Sequence, residues 1–192
     1  MIRTKRDLRE YVAADAKANG RSSVKPRLMG DEIWKFILTL RKLEYHTNLT
    51  GLHKHLSLPF RVFYRMRLHR RALLLGFTIP VNACDKGLAL VHRGTIVIAN
   101  SAKIGQNCRI HEGVTIGATN GSQQAAVIGD NVFLASGAKI IGDITIADDV
   151  AIAANAVVTR SILEKGTTWG GVPAQKISDN DSHSNLSAAL FQ

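Results

Sequence analysis

The sequence predicts a mainly β fold, a parallel coil of short strands preceded by a small basic α-helical module. Three observations predict it. Aliphatic residues recur every six positions through the second half of the chain, only 6% of residues are aromatic, and the whole excess of positive charge lies ahead of the repeat. A chain of 192 residues with 45% apolar and 21% charged residues can bury a core and is not intrinsically disordered.

The repeat places Ile98, Ile104, Ile110, Ile116, Ile128, Leu134, Ile140, Ile146, Ile152 and Val158 in one frame. Four residues after each except Ile116 lies a small or aliphatic partner, from Ala102 and Cys108 to Ala156 and Ile162. Neither helical periodicity nor strand alternation sustains a period of six. Six residues suit a short strand and a tight corner, so three units make one coil of 18 residues, with coils stacked about 4.8 Å apart. The core is then a column of Ile, Val and Ala, which accounts for the scarcity of aromatic residues. The segment from Pro80 to Trp169, 90 residues, amounts to five coils. Stacked units bury their faces only against neighbours, so the array needs a cap at each end.

Between Ile116 and Ile128 the frame breaks, with Asn120 where an apolar residue belongs. This stretch reads as a loop extruded from a corner. It is either a carrier of function on a rigid scaffold or a tolerated insertion.

The formal charge of +10 divides unevenly. Residues 1–76 carry 17 Lys+Arg and 6 Asp+Glu, against 8 and 9 in residues 77–192. The sequence therefore divides into a basic helical module, 1–76, a coil, 77–177, and a polar tail, 178–192. Helices are expected from Leu8 to Ala18, poorly anchored, from Asp31 as N-cap to Thr47, and from Pro59 to Leu75. No helix-turn-helix, RNA motif or aromatic stacking platform accompanies the arginines, so nucleic acid is not the expected partner. Solvated cap helices, a weak membrane-surface association and attraction of an anionic ligand remain open. The charged N-terminus lacks an apolar signal region and no apolar run approaches bilayer length, so a cytoplasmic protein is expected. Two cysteines exclude a disulfide scaffold or a Cys-built metal cluster, and Cys84 and Cys108 read as buried thiols.

The phrases Ile104-Gly105-Gln106-Asn107-Cys108, Gly113-Val114-Thr115-Ile116-Gly117, Val127-Ile128-Gly129-Asp130-Asn131-Val132 and Gly171-Val172-Pro173-Ala174 resemble the hexapeptide-repeat acyltransferases. His92-Arg93-Gly94-Thr95-Ile96-Val97 resembles the serine acetyltransferase branch and its relatives in polysaccharide gene clusters. The resemblance implies a left-handed parallel β-helix and acetyl-CoA as donor. It also implies a homotrimer or dimer of trimers with active sites between subunits, and no metal.

Acetyl transfer to an alcohol requires a base, because a hydroxyl is a poor nucleophile at neutral pH. His92 reads as a polar ring in the inward column that later turns fill with Ile110, Ile128 and Ile146, and the resemblance makes it the catalytic histidine. The acidic residue that precedes this histidine in the family is here Val91. Asn82 and Asp85 are the nearest candidates to orient the ring. The family's second histidine and neighbouring arginine correspond to Ala125 and Gln124, which leaves the acceptor as L-serine or a sugar hydroxyl. His111 and Glu112, 19 and 20 residues after His92, are acceptor-binding, orient or assist the base, or are exposed corner residues. Ala118, Ser136 and Ala154 recur at steps of 18 and are expected to stack as a coenzyme A column, with Lys139, Lys165 and Lys176 near its phosphates. A non-catalytic β-helix that binds a partner is the alternative.

Overall fold

The computed structural model of the chain describes residues 1–119 and 122–191; the Asn120 expectation falls outside them. Three parallel sheets are visited in rotation. β1 (Phe77–Thr78), β3 (Ile96–Ile98), β6 (Thr115–Gly117), β9 (Lys139–Ile141) and β12 (Val157–Val158) form the first. β4 (Lys103–Ile104), β7 (Val127–Ile128) and β10 (Thr145–Ile146) form the second, extended by single bridges at Cys84 and Ile162. The third contains β2 (Ala89–Leu90), β5 (Arg109–Ile110), β8 (Phe133–Leu134), β11 (Ala151–Ile152) and β13 (Thr168–Gly170). The antiparallel β14 (Gln175–Ser178) closes that sheet. The chain thus winds as a coil, and the aliphatic positions of the six-residue frame from Ile98 to Val158 are all buried.

Two corners of each coil pass through left-handed backbone. Asn107 and Asn131 at φ 56 and Asp149 at φ 61 form one column, and each asparagine amide donates to the next side-chain oxygen at 2.9 Å. Asparagine and aspartate tolerate this conformation better than other side chains. In the first coil the position belongs to Gly87, φ 84, where a Cβ would lie 2.3 Å from the Asn107 side chain. Glycine is required there by both conformation and space.

The register carries the loop as a number. Val97 pairs with Thr115, a step of 18, but Thr115 pairs with Lys139 and Lys103 with Val127, steps of 24. The segment after β6 therefore adds six residues to one coil, and later steps return to 18, as Lys139 with Val157. The coil begins before the expected Pro80, because the Gly76 carbonyl already accepts the Ile96 N–H at 3.0 Å.

Four helices precede it: α1 (Lys5–Ala18), α2 (Glu32–Asn48), α3 (Gly51–Leu56) and α4 (Leu58–Leu75). The short α3 was not expected. Asp31 stands at the N-cap position of α2 but caps nothing; at φ 56 its carboxylate instead accepts from the Arg21 guanidinium and the Arg27 N–H. Helix α1 is firmly anchored, contrary to expectation. Thr4 and Asp7 form a capping box, and Asp15 is fully buried. The Asp15 Oδ1 accepts the N–H groups of Gly87 and Leu88, each at 2.8 Å. Its carboxylate also accepts from Arg41 at 2.7 and 3.1 Å. Arg41 in turn donates to Glu44 at 2.9 Å and to the carbonyls of Cys84 and Asp85 at 2.8 and 2.6 Å. Burial alone would push this guanidinium down; Asp15 and Glu44 outweigh it and hold it charged. α2 also joins the coil core through Phe36, whose ring meets Phe77 edge-on at 5.2 Å.

Residues 178–191 do not trail as the expected polar tail. Ser182 is buried and donates to the Asn131 carbonyl, His183 Nε2 lies 2.8 Å from Asp149 Oδ1, and Leu186 is buried. The thiols of Cys84 and Cys108 are free and buried, and burial pushes the Cys84 thiol up to about 12. No helix among the described residues is long and apolar enough to cross a membrane.

Removing one member of a buried, hydrogen-bonded ion pair leaves the other charge uncompensated. Arg41→Ala is therefore expected to lower the unfolding free energy by about 3–5 kcal/mol, read from urea denaturation. A loss below about 1 kcal/mol would show that the network contributes little.

Candidate active site

The corner that joins the third sheet to the first brings His92, His111 and Glu112 together. β2 ends two residues before His92, and Leu90 pairs with Ile110. That step of 20 sets His92 one level from Glu112 and moves it out of the inward column. The expected alignment with Ile110, Ile128 and Ile146 is incorrect for this reason. Leu90 fills that slot, Ile110 pairs with Leu134, and Ile128 and Ile146 belong to the second sheet. His92 is exposed at the corner, free of hydrogen bonds among the described residues.

His111 follows β5 directly, its N–H donating to the Leu134 carbonyl at 3.0 Å. Its ring stands edge-on between Phe133, at 5.1 Å, and His92, at 5.6 Å. Arg109 Nε lies 3.4 Å from His111 Nε2, and Ser136 Oγ lies 3.5 Å from His111 Nδ1. Burial, and then the positive Arg109, push the His111 imidazole below its ordinary value. Glu112 completes the group. The Ser136 hydroxyl and the residue's own N–H hold its carboxyl below the usual range, with smaller contributions from both imidazoles. Its Oε2 is buried and has no hydrogen-bond partner among the described residues.

One ligating atom each from His92, His111 and Glu112 lies within 4.8 Å of the others. Two imidazoles and a carboxylate can hold a divalent cation. They can equally act as an acid–base set, in which a carboxylate stabilises an imidazolium as it forms.

The other expected site residues divide. Asn82 and Asp85 do not orient His92, because both are engaged by the helices. The Asn82 and Asn48 amides bond reciprocally at 2.9 and 2.7 Å, and the Asn82 N–H donates to Glu44. The Asp85 carboxylate accepts from the Tyr11 hydroxyl and the Lys86 N–H. Ser136 and Ala154 do stack, through the Asn155 N–H to the Ser136 carbonyl at 2.9 Å. Ala118 is not in their column, since a step of 18 from it crosses the inserted loop; it lies at the next corner, after β6. Glu112 takes its place, its carbonyl accepting the Gly137 N–H at 2.8 Å. The three lysines have partners: Lys176 with Glu164 and Asp179 at 2.6 and 2.5 Å, Lys165 with Asp148 at 2.6 Å, and Lys139 with the Gly113 carbonyl at 2.5 Å. Sequence reasoning missed Arg109. An outward position in a short strand gave no signal beyond its charge.

His111 is expected to titrate below the ordinary value of 6.5 in a pH series of imidazole NMR spectra. In Arg109→Gln the repulsion is gone and the midpoint moves upward. An unchanged midpoint would leave burial as the whole cause.

Residues 125–160 match the family model described as bacterial transferase hexapeptide (six repeats). A serine acetyltransferase of Staphylococcus epidermidis is 33% identical over 169 residues, covering 78% of this chain and 79% of the relative. The structure of Neisseria gonorrhoeae serine acetyltransferase in complex with serine superposes with a TM-score of 0.66 at 25% identity, covering 91% of this chain and 70% of that one. Brucella abortus serine acetyltransferase in complex with coenzyme A gives 0.67 at 26% identity, over 92% and 70%. The repeat, the sheets and these relatives together establish that the chain belongs to the serine acetyltransferase family of hexapeptide-repeat transferases.

Proposed function

We propose that the protein transfers the acetyl group of acetyl-CoA to the hydroxyl of L-serine, with His92 as general base and Glu112 as the carboxylate that stabilises its imidazolium. The observation that carries this reading is the buried, unpartnered Glu112 Oε2 beside two imidazoles. A buried acceptor without a donor is costly. A protonated histidine supplies the donor and the opposite charge together.

In the proposed step the acceptor hydroxyl gives its proton to His92 as its oxygen attacks the thioester carbonyl. The imidazolium then returns the proton to the departing coenzyme thiolate, so no covalent enzyme intermediate is required. His111, whose charged form burial and Arg109 disfavour and whose ring lies against Phe133, contacts the acceptor rather than competing for the proton. The pantetheine arm of the donor would run along the corner of Ser136 and Ala154, whose small side chains leave backbone groups accessible. Lys176, neutralised by two carboxylates, is a weaker choice for the phosphates than the notion of a free ammonium suggests.

The same proposal takes the coil as left-handed, residues 77–177 as the catalytic unit, residues 1–76 as its helical cap, and the active assembly as a homotrimer or dimer of trimers. His92 and Ala154 are exposed, which leaves this corner open to a neighbouring subunit. A cytoplasmic setting follows from the use of acetyl-CoA. One observation favours a sugar hydroxyl instead. Ala125 is buried and Gln124 is uncharged, so neither gives the serine carboxylate a cation.

His92→Ala is expected to lower kcat by roughly 10²–10⁴, with acetyl-CoA still raising the melting temperature of the variant. Near-normal turnover would remove His92 from the mechanism. Thiol release across serine and simple sugars identifies the acceptor, and no release or thermal shift with any of them would favour a binding scaffold.

A further inference from the structure

Between α2, α4 and the segment before α2 lies a groove of about 420 Å³ that the acetyl-transfer reading does not use. Arg27, Lys42, Arg67 and Arg71 line it, while Leu38 and Phe63 give it an apolar side. None of the four cations is in an ion pair among the described residues. Lys35, also on the rim, is already held by Glu32 at 2.8 Å. The surrounding sequence offers no relief: residues 45–84 contain five arginines, one lysine and no Asp or Glu.

Arg71 is the strained member. Its Nη1 donates to Thr39 Oγ1 at 3.1 Å, but its Nε is buried with no partner among the described residues. Burial and Arg67 both disfavour its charged form, and only Glu32, to a smaller extent, favours it. Arg67 and Lys42 stand over the rings of Phe63 and Tyr64, each at 5.7 Å, which keeps both heads at the groove. A protein that gathers uncompensated guanidinium groups around a pocket, one with an unsatisfied N–H, gains most from an occupant carrying several negative charges. The fork of arginine matches phosphate oxygens in pairs, and the apolar side accommodates an organic substituent. The volume lies in the range of small-ligand sites.

We infer that this groove binds a phosphate-bearing organic ligand, either a soluble phosphate ester or the headgroup of an anionic lipid. The site lies in the helical module and is independent of the coil corner, so Arg67→Glu is expected to leave acetyl transfer unchanged.

Calorimetry with inorganic pyrophosphate at low salt reads the soluble source. Cosedimentation with phosphatidylcholine vesicles, with and without phosphatidylglycerol, reads the lipid source. Saturable, salt-sensitive binding of either probe, weakened about tenfold or more in Arg67→Glu, is the expected result. Arg71→Lys, which keeps the charge but loses the fork, is expected to weaken it as well, and a circular-dichroism melt checks that each variant is folded. Binding of neither probe, or binding that both folded variants retain at full strength, would overturn the inference.

Discussion

The fold depends on how its first coil is closed. A stacked β-coil satisfies each strand from the strand below, so the lowest turn carries backbone groups with nothing to pair with. Here the answer comes from helices, through the single contact between Asp15 and Arg41. The carboxylate takes the N–H groups of Gly87 and Leu88, the guanidinium takes the carbonyls of Cys84 and Asp85, and each neutralises the other. Asn19 continues the cap by accepting the Leu90 N–H at 3.3 Å and donating to the Leu88 carbonyl at 2.8 Å. His92 leaves the coil two residues beyond this capped edge. A polar network in the helical module therefore sets the position of a residue at the candidate site.

That dependence explains how much was legible. The six-residue frame marked the buried aliphatic column, and the coil and its loop could be read from it, because each position repeats one physical demand. Reading failed where the demand was not periodic. His92 was assigned to the aliphatic column because the step from Leu90 to Ile110 is 20 rather than 18. Ala118 was assigned to the wrong corner because the six-residue insertion follows it. Asn82 and Asp85 were offered to His92 on proximity in sequence, while their partners Asn48 and Tyr11 lie 34 and 74 residues away. Only the folded chain brings those helices to the first coil.

The positive charge of residues 1–76 has several uses that composition merges into one. Arg41 is consumed in the cap and Arg21 in holding Asp31. Five of the remaining arginines lie on α4, which contains no Asp or Glu of its own. Charge spent inside the protein stabilises the coil, and charge left at the groove is available to a ligand.

The reactive corner shows the opposite economy, with a negative group left short. Glu112 keeps one carboxylate oxygen out of water beside two imidazoles, and Ser136 holds the group ionised. In the resting state this arrangement carries the cost of an unpaired buried acceptor. Under the proposed mechanism that cost would be relieved when His92 takes the acceptor's proton, since the imidazolium is both a donor and a counter-charge. Burial and Arg109 disfavour the charged form of His111, which fits its proposed role as a contact of the acceptor. The proposed division of labour between two neighbouring imidazoles rests on what stands behind each ring, Phe133 and Arg109 at His111 and open surface at His92.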